Sequence, residues 1–346
     1  MTIVPLLIIR ALLFSAIAVI PSQIGTAKAS LDIGVCYGMQ GDNLPPAADV
    51  INLYKRYNIG KIRLFEPQPA VLQALRGSGI CVTIGIQNQH LAPMAANPDS
   101  VKSWFAVNVE PYLNDVGFAY IAVGNEVIPG VFGRFVLPVM ESVQDLLNVK
   151  NLTSIKVTTV VPANILGWSN PPSIGRFSDE AASDIRGVIR FLSTNGAPLM
   201  VNVYPYFVYS SDPGHVRLDY SQFTATGPVV HDRNLSYDNM LDAVVDAFLW
   251  AMEREGVTNV KIVVAESGWP SAGNGNFSTP ELASTYNKNF VKHMLSNVGT
   301  PKRPGPNVIE GFIFAMFNEN LKPAGVEQNF GLFYPNMNPV YPVFQS

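Results

Sequence analysis

Strand-like and helix-like segments alternate along this chain, and that alternation predicts an α/β fold, a single-domain (β/α)8 TIM barrel. Three observations carry the prediction: eight short apolar runs have strand character, amphipathic segments separate them, and the 346 residues exceed the roughly 250 that such a barrel needs. The runs are 32–37, 61–65, 80–86, 118–123, 155–161, 199–204, 260–265 and 309–314. Their near-continuous apolar character indicates burial on both faces, as in a parallel sheet covered by helices. Helical spacing marks 47–57, 137–149, 237–254 and 280–296. The last opens on Ser278-Thr279-Pro280-Glu281, which supplies a capping hydroxyl, a proline for the first turn and an early acid.

The start of the chain is read separately. Residues 1–29 contain no acid, one early cation at Arg10, an apolar run over 11–20, and Ala27-Lys28-Ala29, a small-x-small cleavage pattern. The run is short of the about 20 residues a membrane-spanning helix needs, so the segment reads as a secretory signal and the mature domain as 30–346. Its removal takes away Arg10 and Lys28, which moves the formal charge from −3 to −5, 21 basic against 26 acidic residues. A mildly acidic body has no field for nucleic acid, and 48% hydrophobic with 14% charged residues suits one large core.

Cys36 and Cys81 are the only cysteines, which excludes a disulfide-rich scaffold. Each lies within an apolar run and reads as a small buried hydrophobe rather than half of a bridge. The four histidines, His90, His215, His231 and His293, stand apart from one another, and no metal site or cofactor is expected. No Gly-x-Ser-x-Gly elbow, phosphate loop or Gly-x-Gly-x-x-Gly occurs. In an exported chain, Asn151-Leu152-Thr153, Asn234-Leu235-Ser236 and Asn276-Phe277-Ser278 become candidate N-glycosylation acceptors, each in a stretch read as loop.

Two stretches carry the chemistry. Val-Gly-Asn-Glu-Val at 123–127 and Ala-Glu-Ser-Gly-Trp at 265–269 each set one glutamate at the end of a strand candidate, the fourth and the seventh. Cleaving a glycosidic bond by two carboxylates needs one to protonate the leaving oxygen and another to attack the anomeric carbon or activate water. Glu126 and Glu266 have those roles open to them. They lie 140 positions apart in sequence, and a barrel rim is what would join them. A strand-end Asn-Glu can also simply cap the following helix, but two such sites on one rim favour chemistry. Tyr37 after the first strand, Tyr204 after the sixth, and Phe317-Asn318-Glu319 after the eighth supply the aromatic faces, amides and carboxylates that hold sugars.

Taken together, Cys-Tyr-Gly at 36–38, the Asn-Glu motif, Val-Asn-Val-Tyr-Pro-Tyr at 201–206, Glu-Ser-Gly-Trp-Pro-Ser-Ala-Gly at 266–273, Met-Phe-Asn-Glu-Asn at 316–320 and Gln-Asn-Phe-Gly-Leu-Phe at 328–333 resemble the plant endo-β-1,3-glucanases of glycoside hydrolase family seventeen. The resemblance spans essentially the whole mature chain. It implies a (β/α)8 barrel that cleaves β-1,3-glucan, such as callose or laminarin-type fungal wall glucan, internally and with retained anomeric configuration. Residue by residue, it makes Glu126 the acid/base and Glu266 the nucleophile, with Asn125 on the sugar 2-hydroxyl. Retention requires the two carboxyls about 5–5.5 Å apart. Tyr204 is expected to contact the nucleophile or substrate, Trp269 and Phe330 to form cleft walls, and Glu319 and Glu310 to support the active-site network. The 63–67 stretch, Arg-Leu-Phe-Glu-Pro, and the 85–88 stretch, Gly-Ile-Gln-Asn, depart from the family's common pattern and point to altered subsites on that side.

The competing readings are a mixed-linkage β-1,3-1,4-glucanase on the same barrel and a non-catalytic glucan-binding defence protein; the intact carboxylates oppose the second. With no hydrophobic tail or propeptide after Pro339-Val340-Tyr341-Pro342, a secreted monomer of the cell wall space with no membrane anchor is expected.

Overall fold

The computed structural model describes residues 30–306 and 309–344, so the candidate secretory segment 1–29 lies outside the described residues. Eight strands, β1 (Leu31–Tyr37), β2 (Ile59–Leu64), β3 (Cys81–Ile86), β4 (Gly117–Asn125), β5 (Lys156–Pro162), β6 (Leu199–Asn202), β7 (Ile262–Ser267) and β8 (Ile309–Ile313), follow one another around a closed barrel. Every neighbouring pair is parallel, including the β1–β8 closure, where Gly34 pairs with Phe312. All eight expected strands are present, their ends shifted by two residues at most. The reason is burial: β7 is buried along its whole length and β3 along all but its first residue.

Helices α1 (Ala47–Arg56), α2 (Pro69–Leu75), α3 (Leu91–Ala96), α4 (Asp99–Asn108), α5 (Gly133–Val149), α6 (Asp179–Asn195), α7 (Pro205–Ser211), α8 (Leu218–Ser221), α9 (Met240–Arg254) and α10 (Pro280–Ser296) lie between the strands. They bury stripes at helical spacing: α1 turns Val50, Ile51, Leu53 and Tyr54 inward, and the Tyr54 hydroxyl donates to Val35 O at 3.0 Å. Helix α5 starts at Gly133, earlier than expected, and carries Pro138 inside its second turn. Helix α9 starts later, at Met240, because Asn239 Oδ1 accepts from Asp242 N while Tyr237 is held in a short hairpin, 230–232 against 235–237. The expected start of α10 is exact, with Thr279 accepting from Leu282 N. Cys36 and Cys81 are free thiols, the first buried and the second half-buried. Asn151, Asn234 and Asn276 are all exposed. No described helix is long and apolar enough to cross a membrane.

Two irregularities matter for the site. The pairing of β4 with β5 slips between Ala122 and Asn125, and that of β7 with β6 slips between Val264 and Glu266. Slips of this kind bend a strand and re-aim the side chains that follow. Both occur just before the motif glutamates.

Candidate active site

Loops after seven of the eight strands, with Glu266 from β7 itself, line one cleft of about 960 Å³ at the C-terminal rim. Glu126 and Glu266 both face it, together with Tyr37, Asn125, Tyr204, Glu319 and Phe330. Barrel chemistry belongs at this end, because the strand ends converge there while the loops are free to vary.

Glu266 sits within β7 and is 6% exposed. Both of its oxygens have donors. Arg63 Nη1 donates to Oε1 at 2.7 Å and also to Ala265 O at 3.1 Å, and the Tyr204 hydroxyl donates to Oε2 at 2.7 Å. Arg63, itself 2% exposed, uses Nη2 on Asn125 Oδ1 at 2.7 Å and lies over the Phe65 ring. A buried carboxylate kept beside a cation and a phenol is fixed in orientation. Burial, and then the charge of Glu266, hold the Tyr204 phenol well above its ordinary pKa, so it stays a donor.

Glu126 is built differently. Its backbone is left-handed, φ 55°, directly after Gly124 at φ 73° and Asn125. A non-glycine residue there is held by its surroundings: Glu126 N donates to Val160 O at 2.9 Å, and Asn88 clamps Asn125 through Nδ2 to Asn125 O at 2.9 Å and Oδ1 from Asn125 N at 2.8 Å. Asn202 Nδ2 donates to Glu126 Oε1 at 2.7 Å. The side chain reaches solvent through the cleft, yet the walls strip much of its water. That desolvation first, and the charge of Glu266 second, raise its pKa above the usual glutamate value. The two carboxyls therefore differ in environment: a cation and a phenol grip Glu266, while Glu126 holds its proton to higher pH than an ordinary glutamate.

Glu319, 3% exposed, accepts from Gln40 N at 2.7 Å and has Lys322 Nζ 3.5 Å away, so it ties the loop after β8 to the loop after β1. Its carboxylate lies so close to Gly38 that a Cβ there would come within 2.4 Å of both oxygens. Tyr37 and Phe330 form part of the cleft floor, each only 2% exposed, and burial followed by Glu319 pushes the Tyr37 phenol up to about 12.

Four expected positions lie elsewhere. Trp269 is fully buried, donates Nε1 to Phe277 O at 2.8 Å and packs between Tyr206 and Tyr286, so it is core behind the cleft and not a wall. Phe317 is 2% exposed, edge-on to Tyr37 beneath the floor, and Asn318 Oδ1 braces a turn by accepting from Gly331 N at 2.8 Å; neither lines the cleft. Glu310 is at the opposite end of the barrel, with Lys61 and Tyr120, too far along β8 to support the rim. Sequence reasoning assigned no role to Arg63, Asn88, Asn202, Lys322 or Phe207, the last 41% exposed on α7 and lining the cleft. A charged residue in the middle of an apolar strand was the available signal for Arg63, since such a charge must meet a partner inside.

A (β/α)8 barrel whose rim carries a long cleft and two carboxyls in contrasting environments has the construction of a glycoside hydrolase. Comparison with known proteins gives the family: the pattern of the Glycosyl hydrolases family 17 matches residues 33–344, and the chain belongs to that family. A probable glucan endo-1,3-beta-glucosidase, BG4 of Arabidopsis thaliana, is 54% identical over 92% of this chain and 93% of its own. Lichenase-2 of Hordeum vulgare is 47% identical over 90% of this chain and 97% of its own. A solved structure of a plant β-glucan endohydrolase, from a pair described as having distinct substrate specificities, superposes with a TM-score of 0.87 at 46% identity, covering 90% of this chain and 100% of that one.

Proposed function

We propose that the protein is a retaining endo-hydrolase of β-1,3-glucan, with Glu266 as nucleophile and Glu126 as acid/base. The observation that carries the assignment is the unequal treatment of the two carboxyls: Arg63 and Tyr204 bind both oxygens of Glu266, whereas desolvation and the neighbouring charge raise the pKa of Glu126. In the first step Glu126 protonates the departing glycosidic oxygen as Glu266 Oε attacks the anomeric carbon, forming a glycosyl ester and releasing the leaving chain. In the second, Glu126, now ionised, takes a proton from water, which attacks the same carbon and frees Glu266. Asn125 Oδ1 accepts from Arg63 Nη2, which leaves the Asn125 amide N–H groups for the sugar 2-hydroxyl.

The relatives support β-1,3-glucan as the substrate: the Arabidopsis protein is named a probable glucan endo-1,3-beta-glucosidase. One relative, the barley lichenase, favours a second reading, a mixed-linkage β-1,3-1,4-glucanase on the same carboxylates. Parallel assays on laminarin and barley mixed-linkage glucan separate the two. Preference for laminarin, mixed oligosaccharides as early products and a β-anomer recorded by proton NMR before mutarotation are expected; an early α-anomer overturns the retaining mechanism. We also read the protein as an exported, monomeric glycoprotein. The character of residues 1–29 and the exposure of Asn151, Asn234 and Asn276 support this, and glycosidase-sensitive mobility of the protein from culture medium tests it.

A further inference from the structure

One wall of the cleft, the loop between β5 and α6, carries a feature the reaction does not use. Leu166 and Ser169 line the cleft, and between them Trp168 stands 53% exposed on a short strand, Leu166–Trp168, that pairs antiparallel with Arg176–Phe177. The Arg176 guanidinium lies over the indole, 5.0 Å from the ring centroid. Leaving half of an indole in water forgoes the stabilisation its burial would supply, and an exposed aromatic on a cleft lip is a usual place for carbohydrate to pack its C–H faces.

The loop is also braced. Arg254 Nε donates to Gly175 O at 2.9 Å and Nη2 to Ser173 O at 2.8 Å. Buried Ser173 in turn donates from both its backbone N and Oγ to the two oxygens of Asp232, each at 2.6 Å. Ser178 N closes the base of the loop on Ile165 O at 2.8 Å. These bonds hold the strand, and the cation holds the ring plane, so a ligand arriving there meets a surface that loses little entropy on binding.

We propose that Trp168 is an outlying subsite that binds the stretch of β-glucan chain extending past the cleft lip. Continuity with the cleft through Leu166 and Ser169 selects that occupant, and the inference rests on the β-glucan reading above. Bond cleavage occurs at Glu126 and Glu266, so Trp168 affects only substrates long enough to reach it. The test measures KM and kcat of wild type, Trp168→Ala and Trp168→Phe on a ladder of β-1,3-gluco-oligosaccharides from the trimer to the octamer, and on laminarin. Trp168→Ala should raise KM about fivefold for the polymer and the longest oligomers with kcat unchanged, and leave the trimer unaffected, while Trp168→Phe keeps most of the wild-type affinity. A KM rise that is absent at every length, or equal at every length, overturns the subsite while leaving the glucanase reading intact. Failure of the wild-type protein to cleave any member of the ladder overturns that reading, and the subsite with it.

Discussion

The barrel holds two charged clusters, one near each end, assembled from the same parts. Both start from β2, where Lys61 and Arg63 stand two positions apart and so project to the same side of the strand. At the N-terminal end Lys61 Nζ meets Glu310 Oε2 at 2.8 Å and Asp32 Oδ1 at 2.5 Å, and the Tyr120 hydroxyl donates to Glu310 Oε1 at 2.8 Å. At the C-terminal end Arg63 meets Glu266 and the Tyr204 hydroxyl donates to the same carboxylate. Cation, carboxylate and tyrosine recur. Two things differ. The side chains of Glu310 and Asp32 are 33% and 72% exposed, whereas those of Arg63 and Glu266 are 2% and 9% exposed, so charges at the upper end act through less water. Only the upper cluster faces a second carboxyl whose environment favours the protonated form. On the proposed mechanism a well-bonded glutamate is therefore not enough; a second carboxyl with a raised pKa beside it is what the upper end adds.

Substitutions at the two ends should separate accordingly. The largest effect is expected for Glu266→Gln, a loss of roughly 10⁴-fold or more in kcat with unchanged circular dichroism, because an amide forms no glycosyl ester. Substantial turnover by the pure variant would remove Glu266 from the nucleophile role. Next, Glu126→Ala should lose roughly 10²–10⁴-fold and recover with azide, giving a β-glycosyl azide. Glu310→Ala should need no rescue, and rescue of Glu319→Ala in place of Glu126→Ala would reassign the acid/base.

The two cations give the most direct contrast. Arg63→Met strips Glu266 and Asn125 of their shared donor and leaves a buried carboxylate unpaired, so kcat should fall about 100-fold or more and stability by about 3–5 kcal/mol in urea unfolding. Lys61→Met breaks a wetter pair and should cost about 1 kcal/mol with kcat unchanged. Equal losses of activity in the two variants would erase the distinction drawn between the ends. The smallest expected effect is on pH. The proposed first step needs Glu126 protonated, so its raised pKa should carry the alkaline limb of kcat/KM above the ordinary glutamate range. Asn202 donates to Glu126 and favours the ionised form, so Asn202→Ala should raise that pKa further and move the limb to higher pH; a shift to lower pH would contradict the stated cause.

Much of this was legible in the sequence, and the limits have physical causes. Strands buried on both faces read as unbroken apolar runs, which is why all eight barrel strands and the rim glutamates could be located. Arg63 could not be given its role because its partners Asn125 and Glu266 stand 62 and 203 positions away and meet it only once the barrel closes. Trp269 and Trp168 invert what composition suggests. The tryptophan beside the Glu266 motif turns into the core, where Phe277 O accepts from its N–H, and the one in the loop after β5 stays half exposed. An aromatic after a strand suits wall and core equally well, and only the path of the following loop decides. Glu310 and Glu319 lie nine positions apart; the strand run 309–314 already placed the first at its start and the second past its end, and the structure puts them at opposite ends of the barrel.

The central claim is that Glu266 alone among the barrel's bonded carboxylates forms a covalent bond to sugar. Incubating the enzyme with a 2-deoxy-2-fluoro β-laminaribiosyl fluoride should trap the intermediate, because the 2-fluorine slows both steps while the good fluoride leaving group keeps the first fast enough for the ester to accumulate. Peptide mass mapping is expected to find one fluoroglycosyl group, on the peptide containing Glu266. A label on the peptide of Glu126 or Glu319, or hydrolysis to the α-anomer with no label at all, would contradict the account.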